Sequence, residues 1–141
     1  MTIKISEKMR KETISNPEKI AKILTNVLKA EDTEDKMKEH CWGVYLNSRN
    51  YIIRIDLISL GTLDANLIHP REVLKPAIES FASSLLISHN HPSGEVEPSE
   101  DDITLTKRLK EACKIMGIEL LDHLIISENG KYYSFKDKGL F

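Results

Sequence analysis

The stretch "SLLISHNHPSGEVEPSEDDITLTKRLKEACKIMG", from Ser84 to Gly117, restricts the fold more than any other part of the chain. It opens on a short apolar run, which reads as a buried strand. A Pro/Gly-rich bend follows. Beyond it a helical period starts after Ser99, with Leu105, Leu109, Ala112, Cys113 and Met116 on one face and Gly117 placed to end it. A strand that bends back through such a loop into an amphipathic helix calls for a sheet with helices packed on it.

The remaining segments fit that frame. The first fourteen residues are polar, mixed in charge and without period, and are expected to form a loose arm. In "SNPEKIAKILTNVLKAE", Ser15 or Asn16 can cap, Pro17 sits at the first helical position, and Ile20, Ile23, Leu24, Val27 and Leu28 share a face. The charged "EDTEDKMKEH" has room for a short helical turn. "WGVYLNSRNYIIRIDLISLGTL" predicts a hairpin with strands near residues 41–47 and 51–58. From Pro70 a further helix places Val73, Leu74, Ala77, Ile78 and Phe81 at helical spacing, with Pro76 expected to bend or break it. "IELLDHLIISENGKYYSF" reads as two strands joined through Asn129-Gly130. Strands and helices mix without strict alternation, so the expected class is α/β with a mixed sheet. The organisation expected is an arm and amphipathic helix over residues 1–38, packing on a domain over residues 39–141.

Composition narrows the function. A formal net charge of -2 provides no electrostatic footprint for nucleic acid. No window has the apolar length of a membrane span, and "MTIKISEKMRKE" lacks the apolar core of a signal peptide, so a cytoplasmic location is expected. Cys41 and Cys113 are too few for a disulfide framework or a four-cysteine zinc site, and are expected to pack as small apolar groups.

Chemistry concentrates at the end of the "SLLIS" strand. Alternation sends His89 and His91 to one side and Asn90 to the other. Two imidazoles on one face suit a metal ion, and Asp102, in the first turn of the following helix, is within reach as a third ligand. Two nitrogens and one carboxylate leave the fourth position of a tetrahedral Zn²⁺ for water, as in catalytic sites. Ser99 and Asp102 equally have the spacing of a helix-capping pair, and the two roles are compatible. For His40, His69 and His123 structural or surface roles are expected, with Asp122-His123 a candidate pair for orienting a ligand.

"HNHPSGEVEPSEDD" resembles the JAMM metalloprotease signature, His-x-His-Pro followed after six residues by Ser-x-x-Asp, in the form seen in its RadC branch. "EHCWGVYLN", "GTLDANLIHPREVLKPAI", "LLDHLII" and "YYSF" are similar to the same branch, so the resemblance covers about residues 39 to 141. It implies the three-layer α/β/α JAB/MPN fold, which is cytidine-deaminase-like, with His89, His91 and Asp102 holding one zinc ion per chain. It also implies Glu39 as the catalytic acid/base and Ser99 as the residue that stabilises the tetrahedral intermediate. Longer members of the branch carry a helix-hairpin-helix DNA-binding region, and a role residing there does not transfer to this sequence.

The leading expectation is therefore a zinc-dependent hydrolase of peptide or isopeptide bonds, with a peptide or protein as substrate. The competing expectations are a DNA-repair accessory or nucleic-acid-processing role, which the charge does not support, and a metal-binding module without catalysis. A zinc deaminase lacks its His-x-Glu and Pro-Cys-x-x-Cys signatures here, and a thermolysin-like protease its His-Glu-x-x-His.

Overall fold

The computed structural model describes residues 2–11, 13–14, 16–61 and 68–141. In chain order the elements are β1 (Thr2–Ile3), α1 (Glu7–Lys11), α2 (Pro17–Lys29), α3 (Thr33–Lys36), β2 (Glu39–Leu46), β3 (Ile52–Gly61), α4 (Pro70–Glu79), β4 (Ser84–Asn90), α5 (Glu100–Ile115), β5 (Glu119–Ile126) and β6 (Tyr132–Ser134). The strands form one sheet in the order β1-β3-β2-β4-β5-β6. β4 and β5 are parallel, joined by the α5 crossover, and the other neighbouring pairs are antiparallel.

Alternation along β2 and β4 divides the core into two layers. Cys41, Tyr45, Leu85 and Ile87 pack against Val73, Leu74 and Ala77 of α4 and Leu105, Leu109 and Cys113 of α5. Trp42, Val44, Leu46 and Leu86 face the other way, onto Ile20, Ala21, Leu24 and Leu28 of α2. The result is the expected mixed α/β architecture, a sheet with helices on both sides. No helix among the described residues is long and apolar enough to cross a membrane.

Several local expectations need correction. The arm is tied down: β1 extends the sheet by pairing with β3, and Thr13 bridges Tyr51. Asn16 caps α2, its side chain accepting from the Lys19 N–H at 3.3 Å, while Ser15 lies outside the described residues. Residues 62–67, part of the "GTLDANL" stretch, are outside them too. The buried stripe of α2 runs through Ile20, Ala21, Leu24, Thr25 and Leu28, with Ile23 and Val27 half-buried on its flank.

Pro76 does not break α4, which continues to Glu79. A proline there removes the helical bond to the Glu72 carbonyl. The buried Tyr45 hydroxyl supports the same turn by donating to the Val73 carbonyl at 2.6 Å. To reach it, the Tyr45 ring lies across Gly43, where a Cβ would come within 2.5 Å of the hydroxyl oxygen. That approach explains a glycine in the middle of a buried strand. Phe81 follows the helix end at φ 56°, so the chain turns away and the ring is 92% exposed rather than inward. Ile78 and Met116 are exposed as well, and with Leu74 and Ile115 they line an open apolar cleft of about 450 Å³ between α4 and α5.

Candidate metal centre

The site is built where β4 ends and α5 begins. His89 pairs with Cys41 of β2 on one side and Ile125 of β5 on the other, and is fully buried. His91 lies just past the strand, and its N–H still donates to the Ile126 carbonyl at 3.0 Å, which holds it in line with β5. The chain then turns at Gly94, whose φ of 90° suits glycine, and the His91 Nδ1 lies 2.8 Å from the Glu95 carbonyl. A carbonyl only accepts, so Nδ1 carries the proton and Nε2 of the neutral ring presents a lone pair.

α5 delivers the carboxylate through its cap. The Ser99 Oγ accepts from the Asp102 N–H at 3.1 Å, and the Asp102 Oδ2 accepts from the Ser99 N–H at 2.8 Å, a reciprocal capping box. The same carboxylate faces both imidazoles, with Oδ1 3.2 Å from His89 Nε2 and Oδ2 3.3 Å from His91 Nε2. The two imidazole Nε2 atoms are 3.0 Å apart. Capping and convergence on the histidines are thus two uses of one side chain.

His89, His91 and Asp102 bring their ligand atoms within 4.8 Å of one another. Two acceptor nitrogens crowding a carboxylate repel one another unless a proton or a cation lies between them. The set of two nitrogens and one oxygen fits a zinc-type divalent ion with a position left for another ligand. A proton and a cation compete for that place. With protons on the facing nitrogens, burial opposes the charging of Asp102, but His89 and His91 outweigh it and hold the carboxyl well below the usual carboxylate range. The hydrogen bond to the same carboxylate raises His91, against the opposing effect of burial.

Glu39 opens β2, two residues before the Cys41 that pairs with His89, so the two share the face that carries the site. Its negative charge is among the influences that raise His91. Asn90 turns the other way, as alternation requires, yet acts on this corner: its Oδ1 accepts from the His40 N–H at 2.6 Å and its Nδ2 donates to the Lys38 carbonyl at 3.1 Å. Those are the two peptide groups flanking Glu39. A side-chain amide therefore replaces the ladder where β4 stops, and nothing in the spacing of the histidines signals it.

The other polar residues separate clearly. His69 sits at the N-cap of α4 without a side-chain capping bond, and His40 is buried, stacked on Trp42 at 5.2 Å between ring centroids. Cys41 and Cys113 are free thiols in the core. His123 departs from the bland expectation. A register shift between β4 and β5 lets Leu120 pair with Leu85 and His123 with Ile87, and so turns His123 onto the α5 face. Its Nε2 lies 2.8 Å from His89 Nδ1, and its Nδ1 lies 2.5 Å from the Thr106 Oγ1. Asp122 does not join it; its carboxylate binds the His123 N–H, the Ser134 hydroxyl and the Lys136 N–H. No local motif marks Thr106, although it falls one helical turn beyond Asp102 on the same buried stripe.

The model of the RadC-like JAB domain matches residues 14–140. The chain is 40% identical over 145 residues to a UPF0758 protein of Shouchella clausii, covering 99% of this chain and 60% of that one. A UPF0758 protein of Caldanaerobacter subterraneus is 45% identical over 129 residues, covering 92% and 53%. One from a Geobacillus species is 50% identical over 109 residues, covering 77% and 48%. The chain spans about half the length of these curated relatives.

Proposed function

The chain belongs to the RadC-like JAB domain family, and on that premise we propose that it is a zinc-dependent hydrolase of peptide or isopeptide bonds. The observation that carries the reading is the convergence of His89, His91 and Asp102 on one point, with Glu39 on the same face at the start of β2.

His89, His91 and Asp102 would hold the ion. When bound, zinc supplies Lewis acidity and acidifies water toward neutrality. The Glu39 carboxylate takes one proton from the attacking water as its oxygen bonds to the substrate carbonyl carbon. The same carboxylate then delivers that proton to the amine nitrogen as the carbon–nitrogen bond breaks. Ser99 uses an Oγ lone pair on the Asp102 N–H, which leaves its hydroxyl proton to donate to the carbonyl oxygen as negative charge develops there. Asn90 holds the backbone on either side of Glu39, so the acid/base is presented from a fixed strand rather than a loose end.

Elemental analysis of protein prepared without a histidine tag tests the first step. One zinc per chain is expected in the wild type and none in His89→Ala/His91→Ala. The second step is a screen of peptide and isopeptide substrates in which Glu39→Gln keeps its zinc and loses turnover by roughly 10²- to 10⁴-fold. Zinc uptake without any Glu39-dependent hydrolysis would reduce the chain to a metal-binding module.

A further inference from the structure

We propose that Thr106 and His123 form a buried relay that fixes His89 as its Nδ1–H tautomer and so points the Nε2 lone pair at the cation site. The inference rests on the reading of His89 as a metal ligand and adds two residues that nothing in the signature contains.

The proton positions follow from what each partner can accept. Thr106 Oγ1 lies 2.7 Å from the backbone carbonyl of Asp102. A carbonyl cannot donate, so the threonine proton is committed there. The same oxygen lies 2.5 Å from His123 Nδ1 and can now only accept, which places the proton on that nitrogen. The opposite assignment would set two oxygen lone pairs against each other at hydrogen-bond distance.

His123 is fully buried and stacked on Phe135, with ring centroids 4.5 Å apart and planes at 11°. Complete burial beside an aromatic ring disfavours the charged form of the imidazole. Neutral His123 with a proton on Nδ1 has a lone pair on Nε2, 2.8 Å from His89 Nδ1. His89 therefore donates from Nδ1. Its Nε2 is left as an acceptor, 3.2 Å from Asp102 Oδ1.

The relay is anchored on the residue it serves. The Asp102 carbonyl receives the first proton of the chain, and the Asp102 carboxylate faces the imidazole at its far end. No solvent reaches His89 to set its tautomer otherwise, since the residue is fully buried. One turn of α5 thus supplies a candidate ligand and, through His123 of β5, also orders the proton on another candidate ligand on β4. Thr106 and His123 are positioning residues, since neither touches the ion or the substrate.

The test is ¹⁵N NMR of metal-free protein at neutral pH, where two-bond proton–nitrogen correlations distinguish the tautomers, combined with zinc affinity measured by chelator competition. In the wild type His123 is expected as Nδ1–H, and His89 is expected to carry a proton on Nδ1, with or without a second proton on Nε2 facing the Asp102 carboxylate. Thr106→Val, nearly isosteric but without the hydroxyl, is expected to shift His123 and His89 away from that form and to weaken zinc binding by about 10- to 100-fold. Thr106→Ser should restore both readouts. His89 found as the Nε2–H tautomer in the wild type would overturn the relay without any variant. Unchanged tautomers and zinc affinity in folded Thr106→Val would do the same. The assigned tautomers with no zinc uptake would sink the metal reading alone, and zinc uptake with His89 in the other tautomer would sink the relay alone.

Discussion

α2 and α5 cover opposite faces of the same sheet, and what each buries there differs. α2 buries Ile20, Ala21, Leu24, Thr25 and Leu28. α5 buries Leu109 and Cys113 in its later turns, but nearer its start it buries Asp102 and Thr106 on either side of Leu105. Burying a carboxylate costs several kcal/mol unless it is paired and hydrogen-bonded, and no packing argument calls for one at a helix start. Here it meets two imidazoles and the Ser99 N–H. One helix is therefore a hydrophobic cover. The other is a cover along most of its length and a chemical element in its first two turns.

The contrast breaks if substitutions fail to separate zinc binding from stability. Asp102→Asn carries the largest expected effect. It keeps an oxygen able to accept from the Ser99 N–H, so the cap survives, while the charge facing His89 and His91 is lost. Zinc affinity should fall by more than about 100-fold, beyond what loss of a merely orienting residue produces, and chelator competition reads it. A variant that binds zinc normally would return Asp102 to a capping role and remove the distinction between the helices.

Leu24→Ala on α2 comes next and runs the other way. Leu24 is fully buried, and truncating such a side chain costs about 2–5 kcal/mol. Urea unfolding should show that loss, with zinc affinity of the folded protein unchanged. Leu109→Ala in the later part of α5 should behave like Leu24→Ala, because that part of α5 is cover too. If either truncation weakened zinc binding tenfold, the division within α5 would have to be redrawn.

The two helices were also unequally legible in the sequence. The helical period and caps of both could be read directly, because amphipathic spacing and Pro or Ser at a helix start are local signals. His89, His91, Ser99 and Asp102 are close in sequence, so their spacing carried the candidate site. Glu39 came from the family resemblance alone, because it is distant in sequence and lies among many acids. The relay was half legible: Asp122-His123 is a candidate orienting pair in the sequence, but the partner of His123 is Thr106 rather than Asp122. His123 faces α5 only because of a register shift between β4 and β5, a pairing property with no local mark. Helical spacing likewise groups Ile78 and Phe81 with Val73, Leu74 and Ala77 although both are exposed, since a helical period says nothing about where the helix stops touching the core.

The smallest effect is the most discriminating, because both helices start with a side-chain cap. Asn16 accepts from the Lys19 N–H at 3.3 Å, and Ser99 from the Asp102 N–H at 3.1 Å. As caps they are equivalent, and replacing either by alanine should cost about 1 kcal/mol in chemical unfolding. They differ in what the proposed chemistry asks of them. Asn16 caps a helix that only packs, so Asn16→Ala should leave hydrolysis untouched. Ser99→Gly separates the two roles at the other end, since glycine at this position costs only a few tenths of a kcal/mol but has no hydroxyl to offer the carbonyl oxygen. Stability within a few tenths of a kcal/mol of wild type is expected for it, with turnover lowered by roughly 10²- to 10³-fold, as when an oxyanion donor is removed. Full turnover in Ser99→Gly would leave Ser99 with no role beyond its cap, and the chemical part of α5 would then begin at Asp102.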